Sequence, residues 1–280
     1  MAKNIPPPPT PRLAWHPAFV QAFRLELEQY QDILEFIPEL QLTSEPLRID
    51  LAVIKKLKNI PIRKNIAAIF RSDNLLEYKS PGDHLSVADF YKVYGCACLY
   101  ASLYAVPVTE ITLTFVENRK PRKLLKHLRE VRGYEVREAG AGIYVAAGDI
   151  FPIQVIDSGE LSGEENVWLK GLRGGLETGE AMAILRAGRE KGRGLLGAYL
   201  EVVLNANAGV FLEVGKMGNR GLTFDDVLVE LGLTAKWKAE GREEGREEVA
   251  RKALARGLSL ETIGEITGLD LETIKSFADQ

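Results

Sequence analysis

Glu77 and Lys79 stand two residues apart in Leu75-Leu-Glu-Tyr-Lys79, and Asp50 is embedded in the apolar run Leu47-Arg-Ile-Asp-Leu-Ala-Val-Ile54. In an extended strand, residues two apart project from the same side. Glu77 and Lys79 are therefore expected to face together, with Tyr78 on the other side, and Asp50 reaches the same spot from a neighbouring strand. Two carboxylates with a lysine beside them form a divalent-cation site with a positive charge at its edge. Hard oxygen ligands suit Mg²⁺, which keeps several waters and needs only one or two carboxylates. Such an ion lowers the pKa of a bound water and neutralises charge at a phosphate. The lysine orients that water or stabilises the transition state as a point charge. An acid two residues before a lysine is a weak pattern by itself, and a charge inside such a run ordinarily faces solvent on a half-covered sheet. The inference rests on context, since the pair sits at the end of one apolar run and Asp50 within another.

The elements that must position these residues follow from hydrophobic period. Phe19, Val20, Phe23, Leu27 and Tyr30 recur at helical steps, which predicts a helix from Pro17 to about Tyr30. Leu47–Ile54, Ile66–Phe70 and Leu75–Lys79 are short apolar runs that read as two or three strands, antiparallel because their connections are short. Ser86-Val-Ala-Asp89 predicts a capping box opening a helix through Tyr91, Tyr94, Cys98 and Tyr100. Glu110–Val116 reads as a strand and Pro121–Val131 as a basic helix. Tyr134–Val136, Gly142–Ala146 and Pro152–Ile156 read as three further strands. That order is an α/β layout with a mixed sheet. From about residue 161 strand alternation stops and helices are expected.

Arg48-Ile-Asp50-Leu-Ala-Val-Ile-Lys-Lys56, Ile66-Ala-Ala-Ile-Phe70, Leu76-Glu77-Tyr-Lys79-Ser-Pro81 and Asp89-Phe-Tyr-Lys92 together resemble the PD-(D/E)XK nuclease superfamily. The closest flavour is that of the bacterial recombination-promoting nuclease and putative transposase groups. The resemblance covers about residues 15–160. It implies a restriction-endonuclease-like mixed β-sheet flanked by helices, with an αβββαβ core, and hydrolysis of DNA phosphodiester bonds dependent on Mg²⁺ or Mn²⁺. By that match Asp50 corresponds to the motif aspartate and, with Glu77, holds the metal, while Glu77 and Lys79 form the Glu-x-Lys element. The family often adds a glutamate from the first helix, for which Glu26 or Glu28 is the candidate. It can add a polar residue from the helix after Glu-x-Lys, for which Tyr91 or Lys92 is the candidate. Ile49 stands where many members have proline. Some superfamily members keep the fold without activity, so the alternative is a non-catalytic scaffold that binds nucleic acid or protein.

Composition limits the rest. The 280 residues carry 36 Lys and Arg against 39 Asp and Glu, a net charge of −3, so no global basic charge points to nucleic acid. Local clusters do. Lys55, Lys56, Lys58, Arg63 and Lys64 fall in one segment and Arg119, Lys120, Arg122 and Lys123 in another, and such cations neutralise phosphates. No apolar run approaches the roughly 18 residues that span a bilayer. No membrane partner is expected, and with no signal-type segment at the start and only Cys96 and Cys98 as cysteines, the expected location is cytoplasmic. His16, His84 and His127 supply no ligand spacing, although His84 follows the Glu-x-Lys turn at the edge of the candidate site.

The expected organisation is a flexible Pro-rich arm over 1–14, the nuclease-like α/β domain over 15–160, and an all-helical C-terminal extension beyond it. That extension divides into helices over 161–234 and a charged helix plus a helix-turn-helix-like pair over 235–280. Asp270, Glu272 and Asp279 make the second helix of that pair acidic, which disfavours reading DNA and favours protein binding or self-association as a homodimer.

Overall fold

The computed structural model describes residues 14–38, 51–189, 191 and 193–216, and, in the C-terminal part, 250, 251, 254, 260, 263, 267–270, 274 and 277. The first unit, Met1–Gly218, is built on one seven-stranded mixed sheet. Its chain order is α1 (Trp15–Glu26), β1 (Leu34–Ile37), β2 (Leu51–Lys56), β3 (Asp73–Tyr78), α2 (Val87–Tyr104), β4 (Ile111–Glu117), α3 (Arg122–Glu130), β5 (Glu135–Gly140), β6 (Ile143–Ala147), β7 (Ile153–Asp157), α4 (Val167–Lys170), α5 (Thr178–Arg189), α6 (Arg193–Ala206) and α7 (Ala208–Lys216). The strands lie in the order β1-β2-β3-β4-β7-β6-β5. β1, β2 and β3 pair antiparallel, β3, β4 and β7 run parallel, and β7, β6 and β5 are antiparallel again. Helix α2 is the crossover between β3 and β4 that a parallel pair requires.

Each face of the sheet has its own cover. Phe90, Val93 and Ala97 of α2 and Leu124, Leu125 and Leu128 of α3 pack on Leu75, Leu113, Phe115 and Val155. On the opposite face α1 packs against α4 and α6, and Phe19 stacks on Tyr78 with ring centroids 4.4 Å apart. That face also holds a buried polar row: Thr112 donates to Asn74 Oδ1 at 2.6 Å, and Gln154 donates to Thr114 at 2.9 Å and to the Ile66 carbonyl at 2.8 Å. A core tolerates such groups where they bond to one another, and in this row Gln154 Oε1 alone is left without a partner.

The structure departs from expectation in two places on this unit. Ile66–Phe70 is not a strand. Asn65–Ala67 is a 3₁₀ turn in which the Ile66 N–H donates to the Asn65 side chain at 2.8 Å, and Ile66, Ala67 and Phe70 plug the core beneath the β2–β3 connection. The third antiparallel strand is β1, four residues with Glu35 in its middle. The helix expected to reach Tyr30 ends at Glu26 and gives way to a 3₁₀ segment, Glu28–Ile33.

The second unit, Asn219–Gln280, is known by its described residues. Ala250, Ile263 and Ile274 form a small buried cluster with Leu254, Leu260, Leu269 and Phe277 around it. Gly268 takes a φ of 70°, a left-handed turn that glycine makes without strain. The Pro-rich arm, apart from Ala14, and the charged repeat 241–248 lie outside the described residues. Among the described residues no helix is long and apolar enough to cross a membrane.

Candidate active site

Glu77 is the last side chain of β3 to face α2. Asp73 and Leu75 precede it on that face: Tyr100 of α2 donates to Asp73 at 2.6 Å, and Leu75 joins the α2 core. The strand line continues past Tyr78, because the Lys79 N–H donates to the Val116 carbonyl at 2.9 Å. Lys79 therefore returns to the Glu77 side, and its Nζ lies 3.1 Å from Glu77 Oε1. The chain then turns through Ser80–Asp83 and enters α2 through a complete capping box. The Asp89 N–H donates to Ser86 Oγ at 3.1 Å, and the Ser86 N–H donates to Asp89 Oδ2 at 2.9 Å. The free oxygen of that capping carboxylate, Asp89 Oδ1, holds Lys79 at 2.9 Å.

Glu77 is only 3% exposed, so it is not the solvated strand carboxylate that the pattern ordinarily means. Its Oε2 is buried and accepts no hydrogen bond. Burial pushes the Glu77 carboxyl above its usual range, and the charges of Lys79 and Lys92 only partly oppose this. For Lys79, burial works against the charge, but the bonds to Asp89 and Glu77 outweigh it and hold the ammonium above its usual value. Burial likewise raises the Asp89 carboxyl, and the Ser86 and Lys79 bonds more than reverse this, leaving it low. The result is a fixed ammonium and a desolvated carboxylate with one unpartnered oxygen.

The other expected residues fall in different places. Asp50 lies outside the described residues; its neighbour Leu51 is the register partner of Glu77. Lys92 is exposed, one helical turn beyond Asp89, and its charge acts on Glu77. Tyr91 faces α3 instead, its hydroxyl 3.0 Å from His127 Nε2. Glu26 is buried and serves α4: its Oε1 accepts the N–H groups of Trp168 and Leu169 at 2.9 and 3.0 Å, and Lys64 Nζ holds Oε2 at 2.7 Å. Glu28 pairs with Lys191. Neither glutamate is brought to Glu77.

The sheet also separates the two basic clusters. Lys55 is the register partner of Asp73 at the start of β3, so Lys55, Lys56 and Lys58 lie toward the opposite end of the sheet from Glu77. Four residues of strand amount to about 13 Å. The Arg63 side chain is exposed, and Lys64 is spent on Glu26. Arg119, Lys120, Arg122 and Lys123 follow the carboxyl end of β4, the end at which Glu77 and Lys79 sit. Arg119, Lys120 and Arg122 line a cavity of about 780 Å³ with Tyr144, Asp157 and Arg173. Open α/β sheets present ligand sites at the carboxyl ends of their strands.

Two carboxylates at this end carry no motif. Glu117 ends β4 and Asp157 ends β7 as register partners, on the face that carries Glu77. Desolvation raises the Asp157 carboxyl, and the charges of Glu160 and Glu117 add to that. The signal in the sequence was their common position, an acid closing an apolar strand.

Among the described residues no three His, Cys, Asp or Glu side chains converge as a metal-holding group. The orphaned Glu77 Oε2 nevertheless suits a hard cation, which needs few protein ligands when it keeps its waters. Comparison of the chain with protein-family profiles, curated proteins and solved structures found no match.

Proposed function

We propose that the protein is a metal-dependent nuclease of the restriction-endonuclease-like type that hydrolyses phosphodiester bonds in DNA. The observation that carries this reading is the buried Glu77 Oε2, an acceptor with no partner, beside an ammonium clamped by Glu77 and Asp89. The element order α1-β1-β2-β3-α2-β4 supports it, being the αβββαβ core of the resemblance. Glu77, with Asp50, would hold Mg²⁺ or Mn²⁺, which when bound supplies an acidified water and neutralises phosphate charge.

The chain's own residues do the rest. Asp89 keeps Lys79 charged and directed, so that Lys79 positions the attacking water and meets the charge that grows on the phosphate oxygens. Because Asp89 is fixed by the cap of α2, the ammonium is held before substrate arrives and costs little reorganisation in the reaction. Arg119, Lys120, Arg122 and Lys123 give the DNA backbone an approach at the same end of the sheet, and neutralising phosphates there makes binding fall with salt.

The second reading, a scaffold that binds without cutting, is favoured by the double ion pair that already occupies Lys79. Cleavage of plasmid and single-stranded DNA with Mg²⁺ or Mn²⁺, against EDTA and Lys79→Ala, separates the two. The nuclease requires cleavage that depends on metal and is lost in the variant. Absence of both cleavage and metal binding leaves the scaffold. The C-terminal helices are proposed to serve self-association, which the molar mass in solution tests.

A further inference from the structure

His84 lies in the turn between Lys79 and α2, where a buried carboxylate grips it. Glu117, its side chain only 2% exposed, stands 3.2 Å from His84 Nδ1 through Oε1. Its Oε2 accepts the Leu85 N–H at 3.0 Å. The backbone bond alone tethers the turn, so the imidazole contact is not needed for that purpose. A carboxylate only accepts, so Nδ1 carries a proton, and the ring, with its side chain 55% exposed, is left with Nε2 as its reactive nitrogen. Two further charges stand nearby: Asp83, whose Oδ1 accepts the His84 N–H at 3.0 Å, and Arg119, whose Nε is 3.7 Å from Glu117 Oε1.

The position matters as much as the pair. Glu77 is the register partner of Phe115, and Glu117 lies two residues further along the same face of β4. Two residues of rise across one strand spacing separate Glu77 from Glu117 by about 8 Å, a span that two side chains and one phosphate group fill. Lys79 serves the attacking side. Expulsion of a deoxyribose alkoxide needs a proton, which a positioned imidazole can donate.

We infer that His84, oriented by Glu117, is the general acid that protonates the leaving oxygen during phosphodiester hydrolysis. The inference rests on the nuclease reading of the Glu77–Lys79 site. In the step, the oxygen of the attacking water bonds to phosphorus and its proton passes to solvent. The bond from phosphorus to the leaving oxygen breaks, and that oxygen takes the Nε2 proton of the imidazolium. The products are a phosphomonoester, an alcohol and neutral imidazole, which solvent reprotonates. His84 is thus a catalytic residue and Glu117 a positioning residue.

The test compares two substrates. DNA has a poor leaving group that needs a proton, whereas bis(p-nitrophenyl) phosphate expels a phenolate that needs none. With Mg²⁺ or Mn²⁺, His84→Ala lowers the kcat of DNA cleavage by about 10²- to 10⁴-fold, the usual worth of a general acid. Turnover of the nitrophenyl ester stays near the wild-type rate, and added imidazole restores part of the DNA cleavage. His84→Asn keeps a donor for Glu117 and loses DNA cleavage all the same. Equal loss on both substrates, undiminished DNA cleavage, or rescue by Asn overturns the assignment of His84 while the nuclease reading stands. A wild-type protein that cleaves neither substrate removes that reading, and this inference with it.

Discussion

Glu26 and Glu77 are nearly the same residue in chemical terms, one on each side of the sheet. Both are buried, both are pushed upward in pKa chiefly by desolvation, and both have a lysine partner. They differ in what remains unsatisfied. Glu26 has both oxygens occupied, one by two backbone N–H groups of α4 and the other by Lys64. Glu77 has one oxygen on Lys79 and one on nothing. Burial and pairing therefore do not separate a structural carboxylate from a functional one, because either can shift a pKa. Incomplete satisfaction is the difference between these two, and a buried acceptor without a partner costs free energy that the fold must recover elsewhere. The sequence offered Glu26 as an assistant to the site; its bonds make it the clamp between α1 and α4.

This contrast breaks most readily on activity. Glu77→Gln is expected to abolish metal-dependent DNA cleavage, by three orders of magnitude or more if the charge holds the ion, while Glu26→Gln leaves the rate per folded molecule near wild type; single-turnover assays decide. Stability should show the reverse. Glu26→Ala leaves two backbone N–H groups without their acceptor and Lys64 without its carboxylate, and is expected to cost about 3–5 kcal/mol in denaturant unfolding, the range for breaking a buried pair. Equal costs at the two sites would end the distinction. Metal sharpens it. Mg²⁺ at 100 times its dissociation constant should stabilise the wild-type protein and Glu26→Gln by about 2.7 kcal/mol, and should leave the melting temperature of Glu77→Gln unmoved.

The pH dependence is a smaller effect. A carboxyl raised in the folded state contributes stability that is fully present below its unfolded pKa and is lost as pH rises through the folded value. Glu77→Gln should therefore gain melting temperature relative to wild type at pH 7.5, and the gain should shrink toward pH 4. A difference independent of pH would mean that Glu77 is not desolvated. The smallest effects belong to the cations: Arg119→Ala or Arg122→Ala should each reduce the salt slope of DNA binding by about 1, whereas Lys55→Ala, at the far end of the sheet, should not.

Local chemistry was legible. The Ser86–Asp89 box is a signal contained within four residues, and it forms as read. The strand read at Glu110–Val116 and the basic helix read at Pro121–Val131 also form, as Ile111–Glu117 and Arg122–Glu130, because the pattern that packs them is written in consecutive residues. Legibility failed where identical local patterns have different fates. Ile66–Phe70 is as apolar as a strand but fills a buried turn. Leu34–Ile37 is too short to show a period, and it becomes a strand because β2 offers it a partner. Cys98 is exposed and Cys96 buried, as two helical positions 200° apart must be.

By itself the sequence determined the α/β class, the capped helix after the Glu-x-Lys pair, and the shared facing of Glu77 and Lys79, since the two-residue period of a strand leaves no alternative. Only the tertiary structure decided which carboxylates would be satisfied. That outcome depends on groups more than a hundred residues away in the chain, such as the N-terminus of α4 that reaches Glu26. It also depends on which end of the sheet each basic cluster occupies, a consequence of strand direction: β2 carries Lys55 away from the site, and β4 delivers Arg119 to it.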